Sequence, residues 1–222
     1  MRATTSHCRK HNHLEITLVC EDAPFLASGF QWLLGWIESE VASGKRFLPD
    51  QNVQVGWSLL NVRQREDGTL GFFEPDFKSM PVVFVDNVSN TLLHLLLQKS
   101  VNESLGLENE LVLLPLSHTG IICTRFRKRG DMVLTRQLPK QNDSGWFFGC
   151  FSSDHDHQAV ESLQRMSLYE AAVALDDRII PYLALPAGIQ VLINSSGPRF
   201  LRNGKELSIK PNSYLHHKFV KP

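Results

Sequence analysis

The side chains best suited to chemistry in this 222-residue chain are those of its nine histidines and four cysteines. Both residue types bind zinc, and both can act as acid, base or nucleophile when a neighbouring group activates them. Five of the nine histidines lie in two segments, His7–His13 near the N-terminus and Asp154–His157, where Asp and His alternate. Neither segment shows the apolar periodicity of a helix or strand. We therefore expect solvated loops there, without a metal site.

The four cysteines give no clearer indication of a metal site. None lies in a Cys-x-x-Cys pair and their spacing fits no zinc knuckle or ribbon; they are Cys8, Cys20, Cys123 and Cys150. Four cysteines are also too few for a disulfide framework in a chain of this length. Apolar segments surround the last three, as is typical of reduced cysteines that pack as small hydrophobic side chains. We expect free thiols and a cytoplasmic protein.

Common catalytic and phosphate-binding motifs are missing from the sequence. It contains no Gly-x-Ser-x-Gly, no Gly-x-Gly-x-x-Gly and no Gly-x-x-x-x-Gly-Lys-Ser/Thr. Its closely spaced carboxylates, Glu38 with Glu40 and Asp176 with Asp177, point apart on a helix and make a poor acid–base pair. We predict that the protein is not an enzyme and has no catalytic residue, metal or other cofactor.

One tetrapeptide, Asp143-Ser144-Gly145-Trp146, is distinctive. Asp and Ser can hydrogen-bond the backbone of a tight turn, Gly gives conformational freedom and Trp buries a large face. These properties favour a structural role first and a recognition role second.

The elements of the first half alternate between strand and helix patterns. Apolar and polar residues alternate over Leu14–Cys20 and Gln54–Arg63, which predicts strands, and Leu70–Phe73 returns from a turn at Glu66–Thr69. Two apolar stripes at three- and four-residue spacing predict helices; one begins after Asp22-Ala23-Pro24 and the other at Ser89.

The second half is richer in strands. We predict a hairpin from Gly120–Phe126 and Met132–Gln137, an aromatic strand after Gly145, a short helix after the capping box Ser167-x-x-Glu170, and a strand at Gly188–Ile193. The fold class is α+β, with two small domains, each a mainly antiparallel sheet with a few packed helices. The predicted organisation is a flexible segment at 1–13, a first domain at 14–110 and a second at 117–222.

Charge divides the chain although its formal net charge is zero. Residues 1–110 hold 9 basic and 14 acidic residues, a balance of −5, and residues 111–222 hold 14 and 9, a balance of +5. Such a charge asymmetry has two interpretations. The acidic half could bind a basic partner, or the two halves could pack against each other with electrostatic fields of opposite sign. The longest apolar run is far short of the roughly 20 residues that cross a bilayer, and no export signal follows the basic N-terminus.

A wider pattern in the second half resembles a known family. Its features are Arg125 and Arg136 on flanking strands, the Asp143–Trp146 turn with an aromatic strand ending at Gly149, the Ser167–Glu170 helix start, and Ile179–Leu183 before Ala184-Leu185-Pro186-Ala187-Gly188. Together, over about residues 117–195, they look like the immunity-protein thirty-three-like family of bacteria. The loop after Gly149 departs from the family's more acidic, tyrosine-bearing form. The first half looks like an extra domain seen ahead of this one in some such proteins.

The resemblance implies an antidote that binds and neutralises a cognate toxin by stoichiometric protein–protein contact. A nuclease effector of a contact-dependent or type VI secretion system is the expected toxin, since a nuclease presents basic surface and acts in the cytoplasm. Acidic residues of the first half are then the candidate toxin-binding residues: Glu38, Glu40, Glu66, Asp67, Glu74 and Asp76. We expect Glu66-Asp67, at a predicted hairpin tip, and Glu74-Pro75-Asp76, just beyond it, to be exposed. We expect no direct contact with nucleic acid or membrane, and the oligomeric state stays open.

Two alternatives remain open from the sequence. The Asp154–His157 loop could serve a small metal-binding enzyme. The basic segment Arg125–Lys140 could serve an RNA-binding accessory protein, because clustered Lys and Arg neutralise phosphates, although no aromatic side chains interleave them.

Overall fold

The computed structural model describes residues 1–126, 130–157 and 159–220. Its contacts separate two compact units, with the division between Leu96 and Leu97. Each unit has its own sheet, and the helix that contains the division begins in the first unit and ends in the second. The predicted domain limits, 14–110 and 117–222, stay a prediction.

The first unit is built on a six-stranded sheet. Its strands are β1 (Arg2–Thr4), β2 (Ile16–Val19), β3 (Asn52–Val55), β4 (Ser58–Gln64), β5 (Leu70–Pro75) and β6 (Phe84–Val85). The order is β1-β2-β5-β4-β3, with β6 beside β5; β2 and β5 are parallel and the other pairs are antiparallel. The strand predicted over Gln54–Arg63 is thus two strands, which a turn at Gly56 (φ +61°) separates.

Helix α1 (Pro24–Ala42) follows from its sequence pattern. Proline is accepted at the first helical position because the amide there has no intrahelical partner. Five apolar residues at three- and four-residue spacing are buried in the first unit's core: Leu26, Phe30, Leu33, Ile37 and Val41. Helix α2 (Ser89–Ser104) ends just before Gly106, whose φ of +73° suits a residue without a side chain. Within the described residues, no helix is long and apolar enough to cross a membrane.

Residues 1–13, for which the sequence predicted a flexible segment, carry regular structure. Strand β1 pairs with β2, and Cys8 is fully buried. The buried carboxylate of Glu15 accepts hydrogen bonds from the Thr5 hydroxyl at 2.5 Å and from the backbone amides of Cys8 and Arg9 at 3.3 and 3.0 Å. This carboxylate ties the segment to β2, and periodicity alone could not reveal such a contact.

The second unit is built on a seven-stranded sheet. Its strands are β7 (Thr119–Cys123), β8 (Met132–Arg136), β9 (Asp143–Cys150), β10 (Leu163–Ser167), β11 (Ile189–Asn194), β12 (Gly197–Arg202) and β13 (Lys205–Glu206). The order is β10-β7-β9-β8-β11-β12-β13. Short helices α3 (Leu168–Glu170) and α4 (Tyr214–Phe219) accompany it, and Ser167 opens α3 with the predicted capping box.

The predicted hairpin of Gly120–Phe126 with Met132–Gln137 is wrong. Strand β9 lies between β7 and β8, parallel to β7 and antiparallel to β8. Hydrophobic periodicity identifies strands without identifying their partners, and the central position suits the strongly apolar β9. The carboxyl ends of β7 and β9 consequently lie at the same edge of the sheet. The predicted α+β class, with mainly antiparallel sheets and a few helices, is confirmed.

Candidate functional site

The Asp143–Trp146 turn has the structural role that its residue types suggest. The Asp143 carboxylate accepts the backbone N–H of Gly145 at 2.8 Å, and the Ser144 hydroxyl donates to the Thr119 carbonyl at 2.8 Å. Gly145 has a φ of +75°, and a Cβ there would lie 2.3 Å from the Gln137 carbonyl oxygen. The turn therefore requires glycine for two independent reasons, backbone conformation and space.

Behind the turn, Trp146 is almost fully buried and its indole N–H donates to the Leu183 carbonyl at 3.2 Å. Arg136 is equally buried and donates to the same carbonyl at 2.8 Å. Burial lowers the pKa of the Arg136 guanidinium to about 10, which still leaves it charged at neutral pH. Within the motif, Ser144 and Trp146 are therefore interior, whereas Asp143 and Gly145 are half-buried and Asp143 pairs with Arg165 at 3.3 Å.

The acidic residues at the β4–β5 turn lie on the surface of the first unit. Glu66 and Asp67 are exposed, and Glu66 makes no ion pair with any described residue. Asp67 accepts hydrogen bonds from the Thr69 amide and hydroxyl at 3.0 and 2.6 Å, which lower the pKa of its carboxyl, and it pairs with Arg2 at 3.3 Å. Glu66 is thus the more available carboxylate of the two.

Both predicted acidic residues of α1 are half-buried and engaged. Glu38 accepts the backbone amides of Ser6 and His7 and pairs with the His7 ring at 3.0 Å. Burial opposes these contacts, yet together they lower the pKa of the Glu38 carboxyl. Glu40 pairs with Lys45 at 2.7 Å.

The expectation that Glu74 is exposed is wrong. Its side chain is fully buried, and its two oxygens accept the backbone amides of Asn90 at 3.0 Å and Thr91 at 2.7 Å, in the first turn of α2. A carboxylate is favourable there because the first amides of a helix lack intrahelical acceptors. Burial nevertheless raises the pKa of the Glu74 carboxyl. Asp76, two residues on, is half-buried and accepts the Lys78 amide at 3.0 Å.

The basic segment Arg125–Lys140 is only partly described, since residues 127–129 lie outside the described residues. Arg125 is exposed and pairs with Asp154, and Arg136 belongs to the interior. Of the two arginines, only Arg125 is therefore on a surface where RNA could reach it.

The histidines near the N-terminus serve the fold of the first unit. His13 is buried, and its Nε2 accepts the Phe47 amide at 3.0 Å. His7 is exposed and pairs with Glu38. These rings and the Cys8 thiol do not form a metal-binding group among the described residues.

A different cluster brings together two cysteines and two histidines. The histidines belong to the Asp154–His157 loop, for which the sequence left a metal-binding role open as an alternative. Cys123 ends β7, Cys150 ends β9, and His155 and His157 lie in the loop that follows β9. The two sulfurs are 3.8 Å apart, and His155 Nε2 is 3.0 Å from Cys123 Sγ and 3.8 Å from Cys150 Sγ. One ligand atom from each of the four residues lies within 4.8 Å of the others. These side chains could hold a metal ion.

The electrostatics of the cluster favour an ionised sulfur. Burial disfavours the Cys123 thiolate, but the Arg125 backbone amide and the neighbouring His155 and His157 rings outweigh it and lower the pKa of this thiol to about 7. Burial raises the pKa of the Cys150 thiol. A hydrogen bond to Asp154 raises the pKa of His155.

The sequence indicated the two histidines as possible metal ligands but not the two cysteines, which are 27 positions apart in the chain. The available signal was that each cysteine ends an apolar strand. The parallel pairing of β7 with β9 places the two ends side by side, and the sequence analysis did not predict that pairing.

Comparison with known proteins identifies the second half of the chain. The Imm33-like domain family matches residues 97–200. No curated protein matches the chain, and no solved structure matches it. The matched residues contain the Asp143–Trp146 turn, the buried Arg136, the Ser167–Glu170 capping box and strands β7 to β11, as the sequence resemblance implied. Residues 97–200 are therefore an Imm33-like domain, in agreement with the resemblance that the sequence shows over about the same residues.

Proposed function

We propose that this protein is the antidote to a cognate secreted toxin, which it neutralises by stoichiometric binding in the cytoplasm. The observation that carries the proposal is the Imm33-like domain at residues 97–200. An antidote needs a rigid surface that covers or distorts the active site of its toxin, and it needs no catalytic group. A rigid sheet with a buried Arg–Trp pair behind its central turn suits that task.

We further propose that the toxin is a nuclease that reaches the cell through a contact-dependent or type VI secretion system. The acidic balance of residues 1–110 supports this choice, because a nuclease binds phosphates with basic surface. An acidic surface on the antidote accelerates encounter and competes with the nucleic acid for the same residues.

Glu66 is the first candidate for a toxin contact, because it is exposed and makes no ion pair among the described residues. Asp67, Glu38, Glu40 and Asp76 are accessible at least in part but already serve local contacts. Glu74 is withdrawn from the set, since a fully buried carboxylate cannot touch a partner.

Co-expression with the product of the neighbouring gene tests the antidote proposal. We expect the neighbour to arrest growth alone, to be harmless beside this protein, and to co-purify with it at a fixed ratio. A neighbour that is harmless alone, or that kills regardless of this protein, overturns the proposal. Nuclease activity of the purified neighbour, blocked by one equivalent of this protein, tests the choice of toxin class.

Once this protein and its toxin have been purified, charge reversal tests the role of the acidic surface. The E66K variant should slow association about tenfold at low ionic strength and much less at high salt, since exposed charges act mainly on encounter rates. The matched control is E161K, which makes the same charge change at an exposed position of the second unit. Equal slowing by both variants would assign the effect to net charge and overturn the role of Glu66.

A further inference from the structure

Three of the four candidate ligand atoms, those of Cys123, Cys150 and His155, lie at separations close to those of a tetrahedral zinc site, and His157 completes a set that lies within 4.8 Å. With Zn–S bonds of about 2.3 Å and Zn–N bonds of about 2.0–2.1 Å, tetrahedral geometry sets two sulfurs about 3.8 Å apart and each sulfur about 3.5 Å from a nitrogen. The sulfurs here are 3.8 Å apart, and the sulfur-to-His155 Nε2 distances of 3.0 and 3.8 Å lie on either side of the second value.

Each histidine has one ring nitrogen engaged outside the cluster. His155 Nδ1 lies 3.0 Å from the Asp154 carboxylate, which only accepts hydrogen bonds, so Nδ1 carries the proton and Nε2 keeps its lone pair. His157 Nε2 lies 2.8 Å from the Ser152 carbonyl, so its proton is on Nε2 and the lone pair is on Nδ1. That Nδ1 is buried and has no hydrogen-bond partner among the described residues. Both lone pairs are therefore available to a metal.

The surroundings of the ligands also fit a metal site. Metal-bound histidines usually donate their other N–H to a carboxylate or a backbone carbonyl, which fixes the ring and its tautomer. Asp154 serves His155 in this way, and Ser152 O serves His157. Asp154 is itself held by the Ser152 hydroxyl and by Arg125.

We propose that Cys123, Cys150, His155 and His157 bind one zinc ion and that this ion fastens the loop after β9 to the end of β7. Among the common divalent ions, zinc is the one best suited to a ligand set of two thiolates and two imidazoles. With four protein ligands no position is left for water or substrate, so the site is structural. Binding requires both thiols to lose their protons to solvent, and no oxidation or reduction takes place.

This inference is independent of the proposed toxin and of the residues that would bind it. It also argues against an enzymatic role for the Asp154–His157 loop, because a zinc ion with four protein ligands has no position for a water molecule to activate.

Metal analysis of the full chain, purified without a polyhistidine tag, tests the proposal. We expect about one zinc per chain, retained through dialysis. The variants C123S, C150S and H157Q should each retain less than about a tenth of that zinc, since each removes one of four ligands. H217Q and C20S are the matched controls, which change the same residue types outside the cluster and should retain it in full.

Cobalt and thiol measurements remain decisive even if a cluster variant fails to fold. Co²⁺ bound to the wild-type chain should show the intense visible bands of tetrahedral coordination and the charge-transfer band of thiolate ligands. A chelator should then make about two more thiols reactive toward a thiol reagent, because zinc protects its cysteines. Absence of zinc with octahedral cobalt spectra overturns the proposal, as does a Cys123–Cys150 disulfide found by mass spectrometry in protein purified under reducing conditions.

Discussion

The guanidinium of Arg136 lies over the indole of Trp146, 5.2 Å from the ring centroid, and the two side chains donate hydrogen bonds to one carbonyl, that of Leu183. Both are almost fully buried. Arg136 has no carboxylate partner in the described part of the chain, and its Nε and Nη2 donate to no described acceptor. A cation in the interior is thus held by one carbonyl and one aromatic face.

Replacement of Arg136 distinguishes packing from charge. R136M keeps most of the side-chain volume and removes the buried charge, whose desolvation offsets its attraction to the ring, so we expect its unfolding free energy to stay within about 1 kcal/mol of wild type. R136A opens a cavity against Trp146 and should lose about 3 kcal/mol. Urea denaturation measures both, and a loss in R136M as large as in R136A would mean that the cation itself stabilises the fold.

Alanine at Gly145 tests the central turn. The substitution meets both the positive φ and the Gln137 carbonyl at 2.3 Å, and we expect it to lower the unfolding free energy by about 3 kcal/mol or more. G188A is the matched control, since Gly188 has a φ of +87° but no atom within 4 Å of the position of a Cβ. Its unfolding free energy should fall by only about 1–2 kcal/mol, which is the cost of the positive φ without a steric clash. Equal losses in chemical denaturation would show that the chain relaxes away from the contact at Gly145.

Sequence reasoning succeeded where a single element determines its own pattern. The buried stripe of α1, the β4–β5 turn and the capping box at Ser167 all follow from local spacing, and the structure contains each of them. The Asp143–Trp146 turn also contains the side-chain-to-backbone hydrogen bonds that its residue types suggest.

It failed where the answer depends on which distant segments meet. The Glu74-Pro75-Asp76 sequence looks like an exposed turn, and only the approach of α2 buries its first carboxylate. Cys123 and Cys150 look like isolated core cysteines until β9 is inserted beside β7. Strand order and helix docking depend on long-range contacts, which the periodicity of hydrophobic residues along the sequence does not predict. The sequence therefore shows each candidate zinc ligand as a single residue but does not show that the four lie together.

Glu74 should make the stability of the first unit pH-dependent. Burial raises the pKa of the folded carboxyl above the ordinary 4.5, so the folded state holds a proton that the unfolded state has released. Stability from this group is therefore complete below about pH 4.5 and is lost as the pH rises through the folded pKa. The E74Q variant has no carboxyl to ionise at this position and does not lose this stability. The difference in unfolding free energy, E74Q minus wild type, should therefore increase as the pH rises. The exposed E66Q should instead follow the wild-type curve in urea titrations from pH 4 to 8, and an E74Q curve parallel to wild type would refute the assignment.

His94 should act in the opposite direction. Its ring lies 4.6 Å from the Phe77 ring and 5.5 Å from the Trp57 ring, and burial lowers the pKa of this imidazole to about 4. Below pH 6.5 the unfolded histidine binds a proton that the folded one refuses, so stability falls as the pH drops toward 4, by about 3 kcal/mol over the whole window. H94L should lack this fall and gain on wild type with increasing acidity, whereas H11Q, at an exposed position, should not. Urea unfolding at half-unit pH steps measures the difference, and parallel curves for H94L and wild type would mean that the folded pocket admits the charged ring.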